Sequence, residues 1–261
     1  MKDFKQVYIS DTMEFFKKGY KEKHGLEDYY DVNAPAVFFG MYNAPDVEKM
    51  VNHKGPKIIT WGGNDMQPYQ LKLVADLQKQ QQIYTWGYPG AFSDALSAYN
   101  IFHKAIYIYY KGYSKLFSPV PLGENIYVYK GVHGNRPDYH KWKEIVEPLQ
   151  KVFGQDRVIY TSHLPINELV ENYYKKCFCF VKPSLKGAGS TMLELAHMGI
   201  RTIGKGQKNL DFFTEYNDMN HLIELIMEES KYMGQIRKDV SEYVRSIFTK
   251  DEWLTLKFWE K

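Results

Sequence analysis

The sequence predicts an α/β protein built from two parallel-sheet halves, and three observations carry this. Short apolar runs rich in aromatic residues alternate with amphipathic helical stretches from the first residues onward, the rhythm of a parallel sheet covered by helices. The rhythm breaks at Ser118-Pro119-Val120-Pro121-Leu122-Gly123 and then restarts, so this stretch reads as a linker. Finally, Lys176 to Lys205 reads as a complete strand, glycine loop, helix and strand unit.

In the first half, Gln6 to Ser10 is a strand. Asp11 and Glu14 have the spacing of a capping box opening a helix that carries Phe15, Phe16 and Tyr20. Ala36 to Tyr42 is the next strand, and Pro45 sits where a first helical turn tolerates it. Lys57 to Trp61 is a third strand, followed by Gly62-Gly63-Asn64-Asp65. Pro68 to Gln80 is a helix with Leu71, Val74 and Leu77 on one face, Gln82 to Trp86 a strand, Phe92 to His103 a helix and Ala105 to Tyr110 a strand.

After the linker, Asn125 to Lys130 is a strand and Tyr139 to Phe153 a helix in which Pro148 introduces a kink. Arg157 to Ser162 is a strand and Ile166 to Tyr174 a helix. Cys177 to Val181 is a buried strand that Pro183 stops, because a central strand does not tolerate proline. Gly187 and Gly189 make a loop, and Ser190 or Thr191 caps a helix with Met192, Leu193, Leu195, Ala196 and Met198 on its apolar face. Arg201 to Gly204 starts another strand, and Asp218 to Ser230 and Tyr232 to Phe248 are helical.

A chain of 261 residues holds one large α/β domain or two small ones, and 44% hydrophobic content is enough for real cores. The net charge of +3, from 34 basic against 31 acidic residues, does not suggest nucleic-acid binding by electrostatics, which needs a concentrated basic face. The two cysteines, Cys177 and Cys179, fall on one face of one strand, where they are poor disulfide partners. They read as core thiols of a reducing compartment rather than metal ligands. Met1 to Lys5 lacks a secretory apolar core and no apolar run is long enough to cross a bilayer. A soluble, cytoplasmic protein is expected.

The chemistry of the Lys176–Lys205 unit follows from its geometry. A helix begins with unpaired N–H groups and the positive end of its dipole, and glycines before it let a ligand approach the backbone. Together these suit a phosphate or diphosphate. Glu194 lies about one turn into the helix, and a carboxylate accepts the two hydroxyls of a ribose diol. The alternative is a tight structural turn with an exposed glutamate.

Pro183-Ser184, Lys186-Gly187-Ala188-Gly189 and Leu193-Glu194-Leu195-Ala196 resemble the C-terminal signature of the family 4 glycosyltransferases. That signature runs proline-serine, Glu-Gly-Phe-Gly, and a second Glu in Leu-Glu-Ala. The resemblance implies the GT-B architecture: two Rossmann-like domains facing across a cleft, here an acceptor domain over residues 1–119 and a donor domain over 120–249. A C-terminal helix over 250–261 would complete the first domain. The resemblance also implies a metal-independent retaining hexosyltransferase using a nucleotide sugar, with front-face attack and the leaving phosphate helping to deprotonate the acceptor. GDP-mannose is slightly favoured over UDP-hexoses, and the acceptor is a hydroxyl on a glycan, a protein-linked or a lipid-linked substrate.

By the same resemblance, Glu194 holds the ribose. Lys186, Gly187, Ala188, Gly189, Ser190 and Thr191 form the donor loop, with Lys186 standing where the family has its first Glu. Lys130 and Arg136 take the positions of cations that neutralise the diphosphate, or are solvated surface cations. His163 and Leu164 follow the next strand, where the family cradles the base. Gly62, Gly63, Asn64 and Asp65 resemble the acceptor-side loop, with Gly62 in place of a His and Asp65 available to orient an acceptor hydroxyl. The plain alternative there is a tight glycine turn. No Asp-x-Asp motif is present to hold a divalent cation.

In the tail, Trp253, Leu254, Phe258 and Trp259 are expected to pack on the first domain rather than lie on a membrane surface, because Asp251, Glu252 and Glu260 accompany them. Two other readings remain open. One is a non-catalytic nucleotide-binding module. The other, a Rossmann oxidoreductase, is disfavoured because no strand leads into a Gly-x-Gly-x-x-Gly fingerprint followed by a ribose-binding acid.

Overall fold

The computed structural model describes residues 2–108, 115–130, 141–161, 164–183, 189–205 and 210–260. The chain forms two compact units, Met1–Gly112 with Phe248–Lys261, and Tyr113–Ile247.

The first unit is a parallel sheet in the order β2-β1-β3-β4-β5-β6. Apart from β2 and β3, which follow each other directly, its strands and helices alternate along the chain: β1 (Gln6–Ile9), α1 (Glu14–His24), β2 (Glu27–Asp28), β3 (Ala36–Phe39), α2 (Ala44–Asn52), β4 (Lys57–Thr60), α3 (Pro68–Leu77), β5 (Ile83–Gly87), α4 (Ala91–Ala98) and β6 (Lys104–Ala105). Every residue of β3 and β4 is buried, as expected of a sheet covered on both faces. Phe38, Ile59, Met50, Leu71, Val74 and Leu96 fill the core on one side.

The capping box falls elsewhere than expected. Ser10, not Asp11, caps a short 3-10 turn, and α1 starts at Glu14 without a side-chain cap. The reciprocal box belongs to α2, where Asn43 and Asp46 satisfy each other's backbone N–H. The fully buried Lys57 donates to Met50 O, His53 O and Gln81 Oε1 at 2.5–2.9 Å. It thereby satisfies carbonyls at the end of α2, and burial lowers its pKa to about 8.

The second unit contains β7 (Asn125–Val128), α5 (Trp142–Phe153, running through Pro148), β8 (Val158–Ile159), α6 (Ile166–Asn172), β9 (Cys177–Lys182), α7 (Gly189–His197), β10 (Arg201–Gly204), β11 (Phe213–Glu215), α8 (Met219–Ser230) and α9 (Lys238–Ser246). Its parallel sheet has the order β11-β10-β9-β7-β8. Read from the first strand of each unit, the winding is the same. The second strand lies on one side of the first, and the third, fourth and fifth lie on the other. Cys177 and Cys179 are buried free thiols. The proline-rich stretch expected as the linker is instead bound into this unit, with Leu122 N on Gln235 O and Gly123 N on Cys177 O.

The tail folds onto the first unit as a 3-10 turn over Asp251–Leu254 and α10 (Leu256–Trp259), two short turns in place of one helix. Trp253 and Leu254 are fully buried, and Leu254 O accepts from Asp3 N and Phe4 N. Trp259 stacks on Tyr84 and donates to Trp253 O. Among the described residues, no helix is long and apolar enough to cross a membrane.

Asp251 fastens this tail. It accepts from His24 Nδ1 at 2.9 Å and from Lys2 Nζ at 2.6 Å. The hydrogen bond from His24, and then that from Lys2, hold its pKa well below the usual carboxylate range against the opposing cost of burial. A carboxylate with a depressed folded pKa adds stability that is fully present above its unfolded value, about pH 4, and is lost as pH falls through the folded value. Asp251→Asn is therefore expected to lower the melting temperature at pH 7 and to flatten the loss of stability below about pH 4. Parallel acid profiles for the two proteins would contradict this.

Candidate functional site

In the second unit, the chain leaves β7 toward β8 on one side, and leaves β9 toward β10 and β11 on the other. The carboxyl ends of β7 and β9 are thus a topological switch point, where connections diverge and open sheets bind ligands. A continuous apolar run makes β9 a fully buried strand, and Pro183 follows it directly. The helix α7 begins at Gly189, and a Cβ built there meets nothing within 4 Å among the described residues. The first turn of α7 carries Ser190 and Thr191, and a helix start offers N–H groups that have no intrahelical partner.

Three lysines stand at the carboxyl ends of three adjacent strands: Lys130 after β7, Lys182 at the end of β9 and Lys205 after β10. Of these three, only Lys130 is assigned a role from the sequence. Lys182 is 1% exposed, donates to Lys205 O at 2.8 Å, and is lowered to about pKa 8 by burial. A Cβ at Gly204 would lie 2.8 Å from its Cβ, so the glycine makes room for it. Its signal in the sequence was a lone lysine closing an apolar strand before proline. Lys205 donates to Tyr216 O and Asn217 O and lies over the Tyr216 ring.

Two residues expected at the donor site adopt other contacts. Glu194 is not an exposed carboxylate: it is 1% exposed, and its Oε2 accepts from the Tyr174 hydroxyl at 2.9 Å. Burial first, then the Glu194 charge, raises the Tyr174 pKa, and Thr191 also hydrogen-bonds that hydroxyl. Lys130 lies over an aromatic pair, 4.8 Å from the centroid of Trp142 and 5.8 Å from that of Tyr160. Leu164 is half-buried just before α6. Arg136, His163, Lys186, Gly187 and Ala188 lie outside the described residues. Among the described residues, no group of three His, Cys, Asp or Glu side chains could hold a metal ion.

In the first unit, the loop after β4 holds Gly62, Gly63, Asn64 and Asp65. Asp65 is not open to orient an acceptor hydroxyl. It is 1% exposed, and its carboxylate accepts from Met41 N at 3.0 Å, Gly62 N at 3.0 Å and Gly63 N at 2.9 Å. Burial raises its pKa while these N–H groups pull it down. Asp65 therefore ties the end of β4 to the end of β3, a positioning role. Asn64 is exposed, while Gly62 and Gly63 are half-buried.

No family profile and no curated protein matches the chain. Among solved structures, the chain resembles a sucrose-phosphate synthase from Thermosynechococcus elongatus, with a TM-score of 0.57 and 16% identity over 95% of this chain and 75% of that one. It also resembles TarM, with a TM-score of 0.57 and 11% identity over 88% of this chain. The aligned region spans 55% of TarM. At such identities the likeness is one of fold. The chain has the α/β class with two parallel sheets expected from the sequence, that of the GT-B glycosyltransferases.

Proposed function

We propose that the protein is a retaining glycosyltransferase of the family 4 kind. It would move a hexose from a nucleoside-diphosphate sugar to a hydroxyl acceptor, with GDP-mannose slightly favoured over UDP-hexoses. The observation that carries this reading is the switch point of the second unit, where the first turn of α7 follows a strand edge bearing Lys130, Lys182 and Lys205. Helix N–H groups and ammonium groups together suit a diphosphate. The fold likeness to a sucrose-phosphate synthase supports sugar chemistry.

In this reading the diphosphate sits on the α7 N-terminus, and the lysines stabilise the charge that develops as it leaves. The leaving phosphate accepts the acceptor proton. Glu194 takes the ribose hydroxyls by turning from Tyr174, and no divalent metal is needed because the helix dipole and lysines carry the charge. The acceptor, on a glycan, a protein or a lipid, is bound by the first unit.

Calorimetric titration with GDP, UDP and their hexose conjugates in EDTA tests this. One nucleotide series binds with its affinity intact after chelation. Glu194→Gln preserves the size of the buried side chain and weakens that binding by about 1.5–3 kcal/mol, the worth of a hydrogen bond to a charged group. Binding that vanishes in EDTA and returns with manganese would refute metal independence. Failure of every nucleotide would refute the enzyme.

A further inference from the structure

The first unit has its own switch point, between β1 and β3, and Tyr42 stands three residues beyond β3. Its ring lies in a slot made by two glycines. A Cβ at Gly40 would lie 3.0 Å from the ring, and Gly40 has φ +86°, a conformation that favours glycine. A Cβ at Gly62 would lie 2.2 Å from the Tyr42 hydroxyl, so only glycine leaves that oxygen its place.

Buried carboxylates hold the backbone here on three successive N–H groups. Asp65 accepts from Met41 N, and Asp46 accepts from Tyr42 N and Asn43 N. Asp46 is itself 1% exposed and also accepts from the Tyr8 and Ser10 hydroxyls. Tyr42 is thus preorganised at a ligand-binding edge. Tyr42 is half-buried, and its hydroxyl has no hydrogen-bond partner among the described residues.

We propose that the Tyr42 hydroxyl is a hydrogen-bonding contact for a neutral, hydroxyl-bearing ligand, a sugar ring, at the carboxyl edge of the first unit. This deepens the proposed function and rests on it, by giving the acceptor a named contact. Burial, then the charges of Asp65 and Asp46, raise the hydroxyl's pKa, so it stays protonated and donates. The same two carboxylates disfavour an anion there, which leaves the oxygen of a neutral polyol as the partner that fits.

The test uses the whole chain carrying ring-labelled tyrosine, with the methyl glycosides of glucose, mannose and galactose as probes. The Tyr42 signal is assigned by its loss in Tyr42→Phe, which keeps the ring in its slot. At least one glycoside shifts that signal, and Tyr42→Phe weakens its binding about three- to ten-fold while GDP and UDP affinities stay unchanged. A Tyr42 signal that no glycoside moves, or equal glycoside affinity in Tyr42→Phe, overturns the proposal. Failure of nucleotide binding with an intact glycoside shift would remove the transferase reading and leave the Tyr42 contact standing, so the two fail separately.

Discussion

Trp253→Ala is expected to destabilise the first unit by about 3–5 kcal/mol, the usual cost of removing a buried tryptophan from a packed core. Trp253 is fully buried from a segment more than two hundred residues away from its partners. Its ring meets His24 edge-on, with centroids 5.2 Å apart, and Tyr20 at 6.5 Å. Its carbonyl holds the indole N–H of Trp259, which stacks on Tyr84 of the sheet. Loss of the indole leaves a cavity under α1 and loosens the turn whose Leu254 carbonyl receives Asp3 and Phe4. Amide exchange measured along β1 and β3 should accelerate while β7 and β9 remain protected, because the tail belongs to the first unit. Equal acceleration in both sheets, or a loss below about 1 kcal/mol, would show that the tail is not part of that unit's core.

Asp65→Ala is expected to cost about 3 kcal/mol, because it strands the buried N–H of Met41 fully and those of Gly62 and Gly63 in part. Asp65→Asn should cost less, about 1–2 kcal/mol, since the amide oxygen accepts from one side while its NH2 faces a donor on the other. The ordering of the two, measured by denaturant unfolding, checks the positioning role. If Asp65→Ala left stability unchanged, the carboxylate would instead be available to a ligand, as the family resemblance implies.

The misplaced elements share a cause. The strands β2 and β11 have two and three residues and no apolar alternation, so nothing local announces them. Each exists because a parallel neighbour offers its hydrogen-bond ladder. A helix start also falls later than the sequence predicts. The stretch expected to start a helix at Tyr232 turns at Gly234, where φ is +77°, and α9 begins only at Lys238. Asp11 has the spacing of a cap in the sequence, and only the path of the chain decided that the Ser10 hydroxyl meets the Thr12 N–H instead.

The sequence by itself determined the strand and helix alternation, the buried strand β9 with its terminating proline, the helix α7, and a tail too aromatic to stay in water. These are local: the period of apolar residues and the exclusion of proline from a ladder act within a few residues. Only the tertiary structure decided where the site's side chains point. Glu194 meets Tyr174 from twenty residues earlier, Asp65 meets Met41 across two strands, Lys182 crosses Gly204, and the Tyr42 hydroxyl fills the space over Gly62. The first two are pairings forced by burial, since a polar group taken out of water must find a partner there, and the last two are side chains fitted into the space a glycine leaves. That partner is chosen by which strands lie side by side, and spacing along the chain does not contain it.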